Sequence, residues 1–296
     1  MKFSILIANY NNATYLEECY QSILQQEYKD VEIVIVDDAS TDTSVLLINQ
    51  LIASDKRIVF HQNKENKGCG FTKNKCTELA TGDVAGFLDP DDTLEKESVR
   101  LMIEQHKRNP DASLIYSTHF ICNQNLSNRT VNLRTGRIQQ NYLLEKKYNV
   151  SHFATFKMGK YRLTSGINPN LKRAVDQDLY YKLEEVGESI FVNKPLYNYR
   201  VHDGGISTGK KVRKAKYWHL LVQEDAYRRR LDTSLEIHYN VIKQRWKNYY
   251  FSLLDEGKEN MDRSKMRLAY CKLFSLEKTS NMKDKLSFLK KSFFPV

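Results

Sequence analysis

Two apolar runs of this chain end abruptly in carboxylates. Residues 31–36 (Val-Glu-Ile-Val-Ile-Val) run into Asp37 and Asp38, and residues 84–88 (Val-Ala-Gly-Phe-Leu) run into Asp89, Pro90, Asp91 and Asp92. A short apolar run closed by a polar break reads as a buried strand. Further strands are expected at residues 3–8, 57–61 and 113–121, and helical spacing of apolar residues at 15–24, 43–53, 71–80 and 94–108. Thr14 and Glu17 have the spacing of a capping box at the first of these helices. Such alternation gives an α/β chain with a mostly parallel sheet flanked by helices. In a parallel sheet the carboxyl ends lie along one edge, where open α/β sheets bind ligands. Two acid clusters far apart in sequence are therefore expected at one site.

Beyond residue 122 the pattern weakens. Residues 123–148 are polar, a helix is expected at 178–186, a short strand at 189–192, and a separate segment at 195–201. From Gly205 onward the chain is helical in pattern, basic and aromatic. The net charge of +10 is concentrated there: 21 Lys/Arg against 10 Asp/Glu after residue 204, but 25 against 26 before it. A uniformly basic nucleic-acid-binding protein would not divide its charge this way, so no nucleic-acid partner is expected.

The five cysteines (Cys19, Cys69, Cys76, Cys122, Cys271) form no CxxC pair and are odd in number, so neither a disulfide framework nor a zinc site is indicated. No apolar run approaches the ~18 residues that a membrane span requires. The expected location is cytoplasmic, with the tail able to reach the inner face of the cell membrane. Met282, Leu286, Leu289 and Phe293 follow helical spacing with Lys283, Lys285, Lys290 and Lys291 between them. That pattern suits either an interfacial helix on an anionic membrane or a helix packed on its own protein.

Asp89, Asp91 and Asp92 crowd three carboxylates into four residues. They repel one another unless a cation neutralises them, and oxygen-rich ligation without thiols suits Mn²⁺ or Mg²⁺. The alternative is a solvated acidic turn with Asp92 capping the next helix. The companion pair Asp37 and Asp38 favours the cation.

Taken in order, several short motifs resemble those of family 2 glycosyltransferases, which have the nucleotide-diphospho-sugar transferase (GT-A) fold. They are Ser4-Ile-Leu-Ile-Ala-Asn-Tyr-Asn11, Val34-Ile-Val-Asp-Asp-Ala-Ser-Thr-Asp42, Asn66-Lys-Gly68 with Lys73-Asn74, and Phe87-Leu-Asp-Pro-Asp-Asp92. Residues 168–183, around Val175-Asp-Gln-Asp178, and Pro195-Leu-Tyr-Asn-Tyr-Arg-Val-His202 with Ser207 continue the match. The resemblance covers roughly residues 1–208. It implies a GT-A catalytic domain there, with a nucleotide-sugar-binding half (1–122) and an acceptor-binding half (123–208), followed by a basic helical extension (209–296).

The resemblance also implies roles. Asp38 would bond the uracil or nearby nucleoside atoms, and the Ala8, Asn9 and Tyr10 backbone would line the base pocket. Lys73 would lie near the nucleotide. Asp89 and Asp91 would form the D-x-D motif, with Asp91 on the metal and Asp89 toward the ribose; Asp92 would face the sugar or acceptor. His202 would complete the metal site or contact the diphosphate. Asp176 would be the catalytic base, since an acceptor hydroxyl must lose its proton as it attacks the anomeric carbon. Asp178 would support the N-terminus of the following helix. The implied function is inverting transfer of one sugar from a nucleotide-sugar, UDP-linked, to a glycan or lipid-linked saccharide in bacterial surface polysaccharide synthesis. Two departures from the pattern are Val175, where the family often has Glu, and Pro90 inside D-x-D. Gln244-Arg245-Trp246 resembles part of a processive-synthase motif, but its spacing differs, so it reads as helix and the expected transfer is of single residues. A sugar nucleotidyltransferase is the rival enzyme, yet it wants a glycine-rich basic loop after the first strand, and residues 9–12 (Asn-Tyr-Asn-Asn) are not one. A non-catalytic membrane or nucleic-acid adaptor is the other rival.

Overall fold

The computed structural model describes residues 1–138, 150–202, 212–230 and 239–276. They form two compact units, Met1–Val222 and a second beginning at Gln223.

The first unit is built on one nine-stranded sheet. Strands β1 (Phe3–Asn9), β2 (Val31–Asp37), β3 (Ile58–Gln62) and β4 (Val84–Phe87) are parallel, in spatial order β3-β2-β1-β4. Helices α1 (Ala13–Leu24), α2 (Ser44–Ser54) and α3 (Cys69–Leu79) connect them. The chain moves outward from β1 to β3 and returns on the other side of β1 as β4. That reversal opens a crevice at the carboxyl ends of the strands. Registry places Asn9 opposite Asp37 and Asp37 opposite Gln62, so the residues that follow each strand share one edge.

The rest of the sheet is mixed. Its elements are β5 (Thr93–Leu94), α4 (Ser98–Arg108), β6 (Ala112–Cys122), β7 (Thr130–Val131), β8 (Ala154–Lys157), α5 (Met158–Tyr161), α6 (Val175–Glu184) and β9 (Glu188–Arg200). Strand β8 lies antiparallel between β4 and β6, while β9 runs parallel to β6 and antiparallel to β5. The core joins both halves through Phe3, Ile5, Ile33, Leu16, Ile23, Val99, Ile103, Ile115, Phe153 and Tyr197, all buried.

Several local expectations change. Helix α1 begins at Ala13 with Asn12 at its N-cap and no side-chain cap bond, so Thr14 and Glu17 form no capping box. Asp42 Oδ2 instead accepts from the Ala13 amide at 3.0 Å. The expected helix at 94–108 gives up its first turn to β5, because Leu94 pairs with Tyr197 of β9. The two segments 189–192 and 195–201 form one long strand. Pro195 sits opposite Thr118 at a register shift, where a missing N–H breaks no ladder bond. The helix expected at 178–186 starts earlier, at Val175, which brings Asp176 into its first turn.

Beneath the sheet, Glu32 is buried with its oxygens accepting from Ser4 Oγ (2.6 Å), Thr81 Oγ1 (2.6 Å) and the amides of Thr81 and Gly82. Burial pushes its pKa up, but these bonds and Lys2 more than offset it and hold it at about 2, below its ordinary 4.5. A depressed carboxylate stabilises the fold at higher pH and loses that contribution as pH falls from about 4.5 to about 2. Glu32→Ala is expected to cost about 1–3 kcal/mol through its stranded donors, read by urea unfolding at pH 7, with a smaller cost at pH 3. Equal losses at both pH values would contradict it.

Helix α7 (Val212–Arg230) spans the division between the units. In the second unit, α8 (Tyr239–Glu259) and α9 (Arg263–Leu276) bury Ile242, Trp246, Tyr250, Leu253, Ala269 and Leu273. Trp246 stacks on Tyr250 with ring centres 5.5 Å apart, so Gln244, Arg245 and Trp246 are helix residues, as their pattern suggested. No helix among the described residues is long and apolar enough to cross a membrane. Gly205, Ser207 and the Met282–Phe293 stripe lie outside the described residues.

Candidate active site

The crevice edge assembles from the ends of β1, β2 and β4. After β1, Asn9 is buried and Tyr10 is 45% exposed. Asn9 Nδ2 donates to Asp37 Oδ2 (2.8 Å), and the buried Asn9 Oδ1 has no partner among the described residues. After β2, Asp37 also holds Ser40 through its amide (2.9 Å) and hydroxyl (2.6 Å). Asp38 is buried and accepts from Asn63 Nδ2 (2.8 Å), Lys67 N (2.9 Å) and Gly68 N (2.8 Å). Asp38 thus holds the 63–68 loop. Ala39 follows with φ 59°, a left-handed conformation disfavoured for alanine and held here by the bonds around it.

After β4 comes the acidic turn, closed by the Asp92 amide on Asp89 O (3.0 Å). Its three acids have different environments. Asp92 is 1% exposed and does not face a ligand: its oxygens accept from Tyr197 Oη (2.7 Å) and the Arg200 amide (2.7 Å). The expectation that it faces sugar or acceptor is therefore corrected. Burial, then the charges of Asp91 and Asp89, push its pKa well up. Asp89 opens toward the crevice. Burial raises its pKa, but the Lys73 ammonium and His152 more than offset that and hold it below the usual carboxylate value. Asp91 Oδ2 lies 2.9 Å from His202 Nε2.

Arg200, which the sequence quoted but did not assign, organises this turn. It is buried, donates from Nε to Asp91 O (2.5 Å) and from its guanidinium to Glu18 (2.6 Å), and lies 4.6 Å from the Tyr15 ring centre. Tyr15 also touches the His202 ring, with centroids 4.9 Å apart. Tyr197 was missed as well: its Oη joins the Asp89 amide (3.1 Å) to Asp92. The only sequence signal was their place on one strand that returns to the acidic turn.

The third wall is α6. Ala174, at φ 56°, turns the chain into the helix and sets Asp176 in its first turn. At the facing end of α3, a Cβ on Gly70 would lie 2.4 Å from Leu171 O, so only glycine lets the two segments meet. That approach delivers Lys73, whose Nζ donates to Asp176 Oδ1 (2.8 Å) and Oδ2 (3.0 Å) and to Asp89 Oδ1 (3.2 Å). Burial lowers the Lys73 pKa, but Asp176 and Asp89 outweigh it and raise it well above the ordinary value, so it stays charged. Asp178 does not merely support the helix end: it is buried against Lys182 at 2.7 Å. His219 on α7 is a further neighbour, its pKa lowered by burial against an opposing pull from Asp176.

Whether the residues suit a divalent cation can be judged from Asp91 and His202. No cluster of three His, Cys, Asp or Glu side chains converges among the described residues. Asp91, a quarter exposed, and His202 do converge, offering one oxygen and one nitrogen. Mg²⁺ and comparable ions are commonly held by one or two side chains plus substrate phosphates. The pair fits such an ion completed by a diphosphate.

A parallel half-sheet with acids along its carboxyl edge, joined to a mixed half that supplies a further acid, is the GT-A type of α/β fold. The chain belongs to glycosyl transferase family 2, whose model matches residues 4–163. It is 33% identical over 229 residues to the chondroitin synthase of Escherichia coli, covering 76% of this chain and 32% of that protein. The chain thus spans about a third of that relative's length. Among solved structures, S. aureus TarS (residues 1–349) in complex with UDP-GlcNAc superposes with a TM-score of 0.67 at 18% identity, covering 93% of this chain and 80% of that one. The mannosyltransferase PcManGT from Pyrobaculum calidifontis, in complex with GDP-Man and Mn²⁺, gives 0.62 at 13% identity, covering 99% and 81%. These likenesses support the fold; the chain's glycosyltransferase character follows from the family.

Proposed function

We propose that the chain transfers a single sugar, with inversion, from a UDP-sugar to a glycan or lipid-linked saccharide during polysaccharide synthesis. The observation that carries this reading is the meeting of Asp89, in the turn after β4, and Asp176, in the first turn of α6, on one ammonium, that of Lys73. An acid at the donor edge and an acid placed as a base are the two parts that a single displacement requires. Asp176 would take the acceptor's proton as its oxygen attacks the anomeric carbon. Asp91 and His202 would hold Mn²⁺ or Mg²⁺, whose charge stabilises the departing diphosphate. Asn9, Tyr10 and Asp38 would bind the nucleoside, with the Ala8 backbone beside them. Residues 1–208 would form the catalytic domain and 209–296 the basic extension, which would rest on an anionic membrane surface on the cytoplasmic side.

UDP is proposed over GDP because Asp38, bonded to Asn63 at the β1–β2 edge, matches the residue assigned to uracil, and one structural relative is solved with UDP-GlcNAc. With Mn²⁺ present, UDP is expected to raise the melting temperature by several degrees, on the scale of ~2–3 kcal/mol at a hundredfold excess over Kd, while GDP leaves it unchanged. The reverse ranking would reassign the nucleotide.

A further inference from the structure

Lys73 is fixed on one side and committed on the other. Its side chain is 5% exposed, against 28% for Asp176 and 32% for Asp89. The ammonium lies 4.8 Å from the Phe87 ring centre, a cation–π contact that anchors it to the floor of the site. A lysine has three N–H donors. Asp176 Oδ1, Asp176 Oδ2 and Asp89 Oδ1 supply three acceptors. Each donor is thus matched to an acid, and both oxygens of the base are turned toward a cation.

We propose that Lys73 is the positioning residue of Asp176, and that a donor's diphosphate competes with Asp176 for it. This deepens, and rests on, the nucleotide-sugar reading above. A diphosphate seated beside Asp89 and Asp91 needs positive charge. Among the described residues, Lys73 is the ammonium in hydrogen-bond contact with both Asp89 and Asp176. A phosphate oxygen that takes one N–H from Lys73 removes a bond from one of the acids. The surrendered bond leaves an Asp176 oxygen free to accept the acceptor's hydroxyl proton. Lys73, still bonded to the other oxygen, keeps the carboxylate aimed. The base is thereby released by donor binding, which orders the reaction: donor first, acceptor second. Linkage makes the exchange reciprocal, so Asp176 in its turn weakens donor binding by holding Lys73.

That reciprocity gives a test that needs no acceptor and no turnover. UDP is titrated calorimetrically, at saturating Mn²⁺, into the full chain and into Asp176→Asn, Lys73→Met and the double variant. Asp176→Asn is expected to bind UDP about fivefold more tightly than the parent, because the uncharged amide keeps at most one bond to the lysine and frees an N–H for the diphosphate. In the Lys73→Met background the same change is expected to give no gain, and Lys73→Arg is expected to restore one. An unchanged affinity in Asp176→Asn overturns the proposal. So does a gain of equal size with and without Lys73, which would be ordinary relief of charge repulsion. If Lys73→Met does not fold, Lys73→Gln takes its place. A parent chain that binds neither UDP nor GDP with Mn²⁺ takes down the nucleotide-sugar reading itself, and this proposal with it. Binding without the gain takes down this proposal alone.

Discussion

Asp176→Asn is expected to lower sugar transfer by roughly 10²–10⁴-fold, the usual contribution of a positioned general base, without weakening UDP binding. The amide has the carboxylate's shape but cannot accept the acceptor's proton. Three features make the site demanding of an acid there. The left-handed Ala174 sets the residue in the first turn of α6, Lys73 holds both of its oxygens, and 28% exposure leaves the carboxylate open to a substrate. The fold should survive, because the amide oxygen still accepts from Lys73. Initial rates at saturating donor, with the melting temperature as a control, give the answer. A variant within twofold of the parent rate would remove Asp176 from the chemistry.

Lys182→Met is expected to cost about 3–5 kcal/mol of stability, the range for breaking a buried ion pair by removing one partner. The Lys182 and Asp178 side chains are 6% and 3% exposed, and Nζ reaches Asp178 Oδ2 at 2.7 Å and Gly166 O at 2.7 Å. Deleting the ammonium leaves the buried Asp178 charge without this cation and Gly166 O without this donor. Gly166, at φ 64°, is fixed as glycine, since a Cβ there would stand 2.9 Å from Tyr161 Oη. The pair therefore pins α6 to the segment before it, two residues from Asp176. Urea unfolding followed by circular dichroism measures the cost. A loss below about 1 kcal/mol would mean that water or a shifted neighbour replaces the lysine.

The parallel half of the sheet was legible in the sequence because β1, β2 and β3 are each followed directly by a helix. Apolar runs and turn residues mark these units locally, and the acids at the strand ends followed from direction alone. The mixed half was harder to read. Strand β9 was divided at Asn193 and Lys194, before Pro195, although Pro195 only sits at a register shift against β6. Thr93 and Leu94 pair with Asn198 and Tyr197, about a hundred residues onward, and no local periodicity announces such a bond. The same distance hid the role of Asp92, whose partners are Tyr197 and Arg200, and that of Lys73, which meets Asp176 only because Gly70 admits Leu171. The residue types at the site could be read along the chain; their partners had to be seen in space.

The extension is helical where it is described, and its buried face of Trp246, Tyr250 and Leu273 is an ordinary core.

The most direct measurement is the identity of the phosphate product. The parent chain, given UDP-GlcNAc and other UDP-sugars with Mn²⁺ and a glycan acceptor panel, is expected to release UDP, and Asp176→Asn is expected to release far less. Pyrophosphate formed from UTP and a sugar 1-phosphate, or UDP release that does not depend on Asp176, would contradict the account.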